Sequence, residues 1–393
     1  MTDRWQIASR AAVPPFHVMD LLAAAADRQR THGDLVNLVA GQPSTGAPEP
    51  VRDEAVRLLG SGDPMGYTVA RGIPELREAI AGYHRRAHGI EVSPDDVVVT
   101  TGSSGGFLLA FLAAFEAGDE VAMARPGYAC YRNVLEALGC RVVELPCGPE
   151  TRFQPTVEQL EGLRDQGHDL KGLVVASPAN PTGTMLLPEE LEALARWCEE
   201  HHVQLISDEI YHGIEYATPH LARSAWETSR EAVVFDSFSK YFSMTGWRLG
   251  WMLVPQRLRR AVEILAGNFT ICPPALAQQA AIAAFTETSY AELDGHVARY
   301  ADNRRVLLEG LARLGIDRLA PADGAFYAWA DIGHLTDDSM RWCLDLLERT
   351  GVAVTPGVDF DTLAGDRFVR FSFAGPRSDV DEALDRLSTV LRG

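Results

Sequence analysis

Between residues 97 and 254 the chain alternates short, mainly apolar, strand-like runs with longer stretches in which apolar residues recur at helical spacing. The runs cover residues 97–100, 120–124, 141–145, 173–176, 204–207, 232–235 and 249–254. Short apolar runs without polar alternation mark strands buried on both faces, and the intervening helices supply the cover. Residues 74–88 and 188–201 are two such helices. Each opens on a proline, which the first helical turn tolerates because its amide has no partner to lose. The pattern predicts an α/β fold with a mainly parallel seven-stranded sheet covered by helices. After about residue 286 the rhythm changes to a long helical stretch, 292–314, and then to strand-like runs near 324–330, 352–355 and 368–373. That change predicts a second, smaller α+β domain. Residues 45–285 are expected to form the large domain. Residues 1–44, an arm whose passage is bracketed by Gly33 and Gly41, are expected to join residues 286–393 in the small one.

Chemistry-bearing residues gather at the ends of the predicted strands. Lys240 follows the run 232–235 in the segment Ser237-Phe238-Ser239-Lys240-Tyr241, and Arg248 lies eight residues further on. An amine in a desolvated, cation-flanked position has its pKa pushed down, so part of it is neutral and able to form a Schiff base with a carbonyl. Pyridoxal phosphate offers such a carbonyl: Arg248 would neutralise its phosphate, while Ser237 and Ser239 would donate hydrogen bonds to it. The plainer alternative is a lysine on a turn after a buried strand. Asp208 ends the run 204–207 and is placed to pair with the pyridine nitrogen, which must stay protonated for the ring to withdraw electrons. Tyr211 and Asn180 could each hydrogen-bond the 3′ oxygen of that ring. Asn180 sits in the turn Ser177-Pro178-Ala179-Asn180-Pro181-Thr182-Gly183, where prolines fix the backbone. An aspartate at a strand end can equally cap a helix. Three strand ends bearing Asn180, Asp208 and Lys240 in that order favour the cofactor site.

Further motifs stand in sequence around these: Gly41-Gln42-Pro43, the stretch from Tyr67 to Arg77, Thr101-Gly102-Ser103-Ser104-Gly105, Pro126-Gly127-Tyr128, Gly324-Ala325-Phe326-Tyr327 and Phe368-Val369-Arg370-Phe371-Ser372. In order and spacing they resemble, over nearly the whole chain, the fold-type I pyridoxal-phosphate enzymes, and among these the class I/II aminotransferases similar to aspartate aminotransferase. The resemblance implies that Lys240 holds the cofactor and shuttles a proton between the substrate α-carbon and cofactor C4′. It implies that Asp208 pairs with the ring nitrogen, that Asn180 and Tyr211 hold the 3′ oxygen, and that Tyr128 stacks on the ring. Arg370 would bind the substrate α-carboxylate, with the backbone at Gly41 approaching the same group. Ser103, Ser104 and Gly105, between the run 97–100 and an apolar helix at 107–115, would turn backbone N–H groups toward the phosphate. This loop departs from the Gln- or Ala-bearing versions common in the family. Tyr67 would reach the phosphate of a neighbouring subunit, so a homodimer with shared active sites is implied. The activity implied is ping-pong transfer of an α-amino group from an amino acid to a 2-oxo acid. A lyase, or an oxidase or hydroxylase acting on an amino acid, shares the fold and the first step and is the alternative. Phe16, Tyr128 and Phe326 lean toward an apolar or aromatic donor.

Composition trims the remaining possibilities. A formal charge of −18 argues against a nucleic-acid partner. The longest apolar stretch, near 107–115, is too short to span a membrane. The charged first ten residues lack an apolar signal core, so a cytoplasmic location is expected. The six cysteines, at 130, 140, 147, 198, 272 and 343, show no metal-ligand spacing, and no metal is expected.

Overall fold

The computed structural model describes residues 7–391. Its first strand, β1 (Val36–Asn37), lies apart from the main sheet. The next seven are β2 (Val97–Thr100), β3 (Glu120–Arg125), β4 (Arg141–Pro146), β5 (Leu170–Ala176), β6 (Gln204–Asp208), β7 (Val233–Ser237) and β8 (Gly250–Leu253). They form one sheet in the order β2-β8-β7-β6-β5-β3-β4, with β3 to β7 mutually parallel and β8 antiparallel to both neighbours. Every apolar run is therefore a strand of this sheet. Strand β5 begins three residues before its run, because Lys171 interrupts the apolar pattern while pointing outward to Asp169 at 2.8 Å.

The helices Pro74–His88 and Pro188–Glu200 start on their prolines. The apolar helix expected at 107–115 instead spans Gly102–Ala114, so Ser103, Ser104 and Gly105 belong to its first turn rather than to a preceding loop. Glycine and serine are poor helix formers, and packing overrides them here: a Cβ on Gly106 would stand 3.0 Å from the Phe235 ring of β7. The long helix spans Glu287–Arg313, five residues ahead of its apolar pattern, because Thr286 caps it by accepting from the Ser289 N–H.

Four short strands complete the fold: β9 (Tyr327–Asp331), β10 (Val352–Ala353), β11 (Thr355–Pro356) and β12 (Phe368–Ser372). Strands β11, β12 and β9 form an antiparallel sheet in that order, while β10 pairs in parallel with β1. The strand expected at 352–355 is thus split at Val354 between two sheets, and the β1 pairing ties the N-terminal segment to the C-terminal part of the chain. Among the described residues no helix is long and apolar enough to cross a membrane, and no group of three or more His, Cys, Asp or Glu side chains is arranged to hold a metal.

Candidate active site

Because β5, β6 and β7 run parallel, their carboxyl ends open onto the same edge of the sheet. Asp208 is the last residue of β6, Asn180 lies in the turn after β5, and Lys240 follows β7 by three residues. They line one cavity of about 290 Å³ whose other walls come from the helix Gly102–Ala114, the segment 39–41, the N-terminal helix Val18–His32, and Tyr327 and Arg370 of the small sheet.

At the centre, Lys240 Nζ donates to the Gly41 carbonyl at 2.7 Å and lies 5.5 Å from the Tyr211 ring centroid. Burial, with the charges of Arg370 and Arg248, pulls its pKa down to about 8 against the opposing pull of Asp208. Asp208 is buried at a relative exposure of 3 %. Burial pushes its carboxyl up to about 6, held back by hydrogen bonds from Tyr131 and the Ile210 amide and by the charge of Lys240. It is therefore mostly ionised at neutral pH. Tyr131 donates to Asp208 Oδ2 and meets Tyr128 edge-on at 5.4 Å, linking the ring at the cavity wall to the carboxylate at its floor.

Arg370, 4 % exposed, donates from Nη1 to Asn180 Oδ1 at 2.7 Å and from Nη2 to the Val39 carbonyl and Thr355 Oγ1 at 2.9 and 3.2 Å. Its guanidinium lies 4.4 Å over the Tyr327 ring and 4.9 Å from that of Phe360. All of these partners are uncharged, and Nε has none among the described residues. A buried guanidinium without a counter-ion is costly unless an anion completes it. Tyr327 OH in turn pairs with Tyr211 OH at 2.7 Å, and a Cβ on Gly41 would stand 2.8 Å from it, so only glycine fits there.

Another part of the cavity wall joins a second guanidinium to the start of a helix. Arg248 adopts left-handed backbone after the turn Thr245–Trp247 and rests against Gly102, whose added Cβ would stand 2.6 Å from Nη2. Gly102, with φ +68°, begins the helix whose first-turn amides lack intrahelical partners. A guanidinium beside a helix N-terminus is a ready phosphate cradle.

Of the residues singled out from the sequence for the site, all line this cavity except Gly105, Ser237, Tyr67 and Phe326. Gly105 lies one residue deeper in the first helical turn. Ser237 is fully buried below the cavity, where its Oγ accepts the Ser239 N–H at 3.0 Å. Tyr67 is 84 % exposed on the surface of the chain. Phe326 is buried outside the cavity and does not contribute to its lining. Sequence reasoning passed over Tyr131, although its spacing three residues after Tyr128 sets both near one helix face. It also passed over the wall formed by Val18, Met19 and Leu22, and the Val39 carbonyl, for which a side-chain pattern carries no signal.

Comparison with known proteins places this geometry. The family model for aminotransferase class I and II matches residues 33–387. A valine–pyruvate aminotransferase of Mycobacterium tuberculosis is 63% identical over 391 residues, covering 100% of this chain and 99% of that protein. An aspartate/prephenate aminotransferase of Thermus thermophilus is 37% identical, covering 97% of each chain. A crystal structure of an aminotransferase from Mycobacterium tuberculosis superposes with a TM-score of 0.96 at 63% identity, covering 99% of both chains. The chain belongs to the class I and II aminotransferases, with the type I fold of that family, which works with pyridoxal phosphate. Between amino-group transfer and the lyase, oxidase or hydroxylase alternative, the findings favour transfer: the chain is an aminotransferase.

Proposed function

We propose that the chain binds pyridoxal phosphate in this cavity and moves the amino group of a small apolar amino acid, with valine the best-suited donor, to pyruvate. The observation that carries this reading is the distribution of charge. The cations lining the cavity are Lys240, Arg248 and Arg370, and each has a use before any substrate side chain is considered. The wall left over is apolar, made by Phe16, Val18, Met19 and Leu22. A second carboxylate on the donor would be buried there without a partner. Valine and pyruvate, the pair in the name of the Mycobacterium tuberculosis relative, carry no such group.

The residues present suit the cofactor. Arg248, Ser239, Ser103, Ser104 and the helix amides including that of Gly105 would hold its phosphate, with Ser237 supporting Ser239 from below. Asp208 would hold the proton on its ring nitrogen, Asn180 and Tyr211 its ring oxygen, and Tyr128 one ring face. When bound, the cofactor supplies an electron sink for the substrate α-carbon. Lys240 takes and returns a proton at Nζ, and a pKa near 8 lets both protonation states be populated at working pH. Arg370 completes its unmet charge with the α-carboxylate through two parallel hydrogen bonds, which orients the donor.

We also infer a homodimer with shared sites. Tyr67 and Val69 are exposed beside Phe269 and Ile271, and the Thr68 N–H reaches Cys272 Sγ at 3.4 Å, so these apolar side chains lie on adjoining segments. A second copy of the chain suits such a patch.

The test is direct. The chain has two lysines, Lys171 and Lys240. Borohydride reduction of the purified yellow protein followed by peptide mapping is expected to mark Lys240; a mark on Lys171 overturns the cofactor assignment. With valine and pyruvate the products are 2-oxoisovalerate and alanine, and kcat/KM should exceed that for aspartate by about a hundredfold, the discrimination a buried unpaired charge can supply. Equal rates with aspartate would reject the apolar-donor reading.

A further inference from the structure

The N-terminal helix Val18–His32 has no cap from its own neighbourhood: its N-cap residue is His17, in helical conformation and without a side-chain capping bond. The leading amides are taken instead by a residue 341 positions away. Asp359 accepts the His17 N–H on Oδ1 at 2.8 Å and the Val18 N–H on Oδ2 at 2.7 Å. A carboxylate across two amides at the positive end of a helix is a strong and directional tether.

Asp359 is itself buried, 2 % exposed, in a segment whose neighbours touch two other parts of the site. Thr355 accepts a hydrogen bond from Arg370, and the Phe360 carbonyl accepts the Gly127 N–H at 2.9 Å, next to Tyr128. The tether holds a wall. Phe16, Val18, Met19 and Leu22 all face the cavity, and Phe16 meets Tyr128 edge-on at 6.2 Å. Met19 is 59 % exposed while Val18 and Leu21 are buried, so this end of the helix packs one side against the core and leaves the other open to solvent.

We propose that Asp359 is a positioning residue for substrate side-chain recognition: by docking the start of the N-terminal helix it holds the apolar wall against the donor's side chain. The inference rests on the reading of the cavity as a site for apolar amino acids and adds the device that sets its selectivity. Its consequence depends on side-chain size. Valine has three side-chain carbons to present to the wall and alanine one, so loosening the wall is felt by valine and hardly by alanine, while Lys240 and Arg370 act on both alike.

The experiment measures KM and kcat for valine with pyruvate, and for alanine with 2-oxoisovalerate, in wild type, Asp359→Ala and Asp359→Asn. Asp359→Ala is expected to raise the KM for valine about tenfold, the order of what two buried methyl groups contribute. Its kcat and its KM for alanine should stay within about twofold of wild type. Asp359→Asn keeps one acceptor and should fall between. Limited proteolysis should cut ahead of Val18 faster in both variants. Equal changes for valine and alanine, or an unchanged KM for valine, overturn the proposal. Should Asp359→Ala fail to accumulate as folded protein, the same comparison on Asp359→Asn decides. A wild-type protein inactive with both donors would instead reject the apolar-donor reading, a failure distinct from that of the tether.

Discussion

At the scale of single residues, the site holds charges that the fold would sooner be without. Asp208 titrates at about 6, above its ordinary 3.8, because burial disfavours its ionised form. The folded state therefore binds this proton more tightly than the unfolded chain does. Stability is lost as pH rises from about 4 to about 6 and stays lost above, by at most about 3 kcal/mol for a shift of this size. Asp208→Asn removes the titration, so the cofactor-free variant should melt above wild type at pH 7.5, with the gap closing below about pH 4. The loaded variant should lose activity by about a thousandfold, since the ring nitrogen loses its proton-holding partner. A variant that melts lower than wild type at pH 7.5 would show that Asp208 is structural. Arg370 gives the complementary case. Lysine cannot reproduce a fork that reaches Asn180, Val39 and Thr355 at once. Arg370→Lys should cut kcat/KM for amino acids by about a thousandfold, the cost of leaving a charge pair half made, and spare simple amines that have no carboxylate. Equal damage to amines and amino acids, with a lowered melting temperature, would mean that Arg370 only braces the small sheet.

At the scale of elements, the helix Gly102–Ala114 shows how a backbone exception serves the site. Gly102 has φ +68° and leaves no room for a Cβ beneath Arg248. Gly102→Ala should therefore cost about 1 kcal/mol in backbone strain and displace the guanidinium, weakening cofactor binding by about tenfold or more. Gly82→Ala is the matched control. Nothing lies within 4 Å of its added Cβ, in the helix Pro74–His88, so it should stabilise the protein by up to about 1 kcal/mol and leave cofactor affinity alone. Titration of the cofactor-free proteins with pyridoxal phosphate, beside melting curves, separates the two, and equal affinities for both variants would remove Arg248 from the phosphate cradle. The same helix marks where sequence reading stops short. The strands β2, β6, β7 and β8 are wholly buried and so stand out as apolar runs, and with them the strand ends that carry Asp208 and Lys240. The first turn of the helix did not stand out, because its glycines and serines are held helical by contact with β7 and β8, a tertiary cause. The split at Val354 is hidden for a similar reason: one apolar run serves two sheets, and partner choice leaves no mark in its pattern. Tyr131 and the wall from Val18 to Leu22 came to light only once helices had set them against Asp208 and the cavity.

At the scale of the whole molecule, the open question is whether one chain is enough. Tyr67 carries a tyrosine's apolar ring and donor hydroxyl into solvent at 84 % exposure, beside Phe269 at 55 % and Ile271 at 48 %. In a dimer with shared sites, Tyr67 of one copy serves the phosphate held by the other, and that arrangement has a signature no single-chain site can imitate. Lys240→Ala removes the reacting amine from its own site, while Tyr67→Ala damages the site across the interface. When the two variants are co-refolded, half of the dimers are mixed, and in each mixed dimer one site keeps both Lys240 and Tyr67 while the other has neither. The mixture should rise above the mean of its parents toward about a quarter of wild-type activity. Sedimentation should show a dimer throughout. If the mixed preparation equals the mean of its parents, each chain carries its own complete site and Tyr67 does no more than cover a contact between copies.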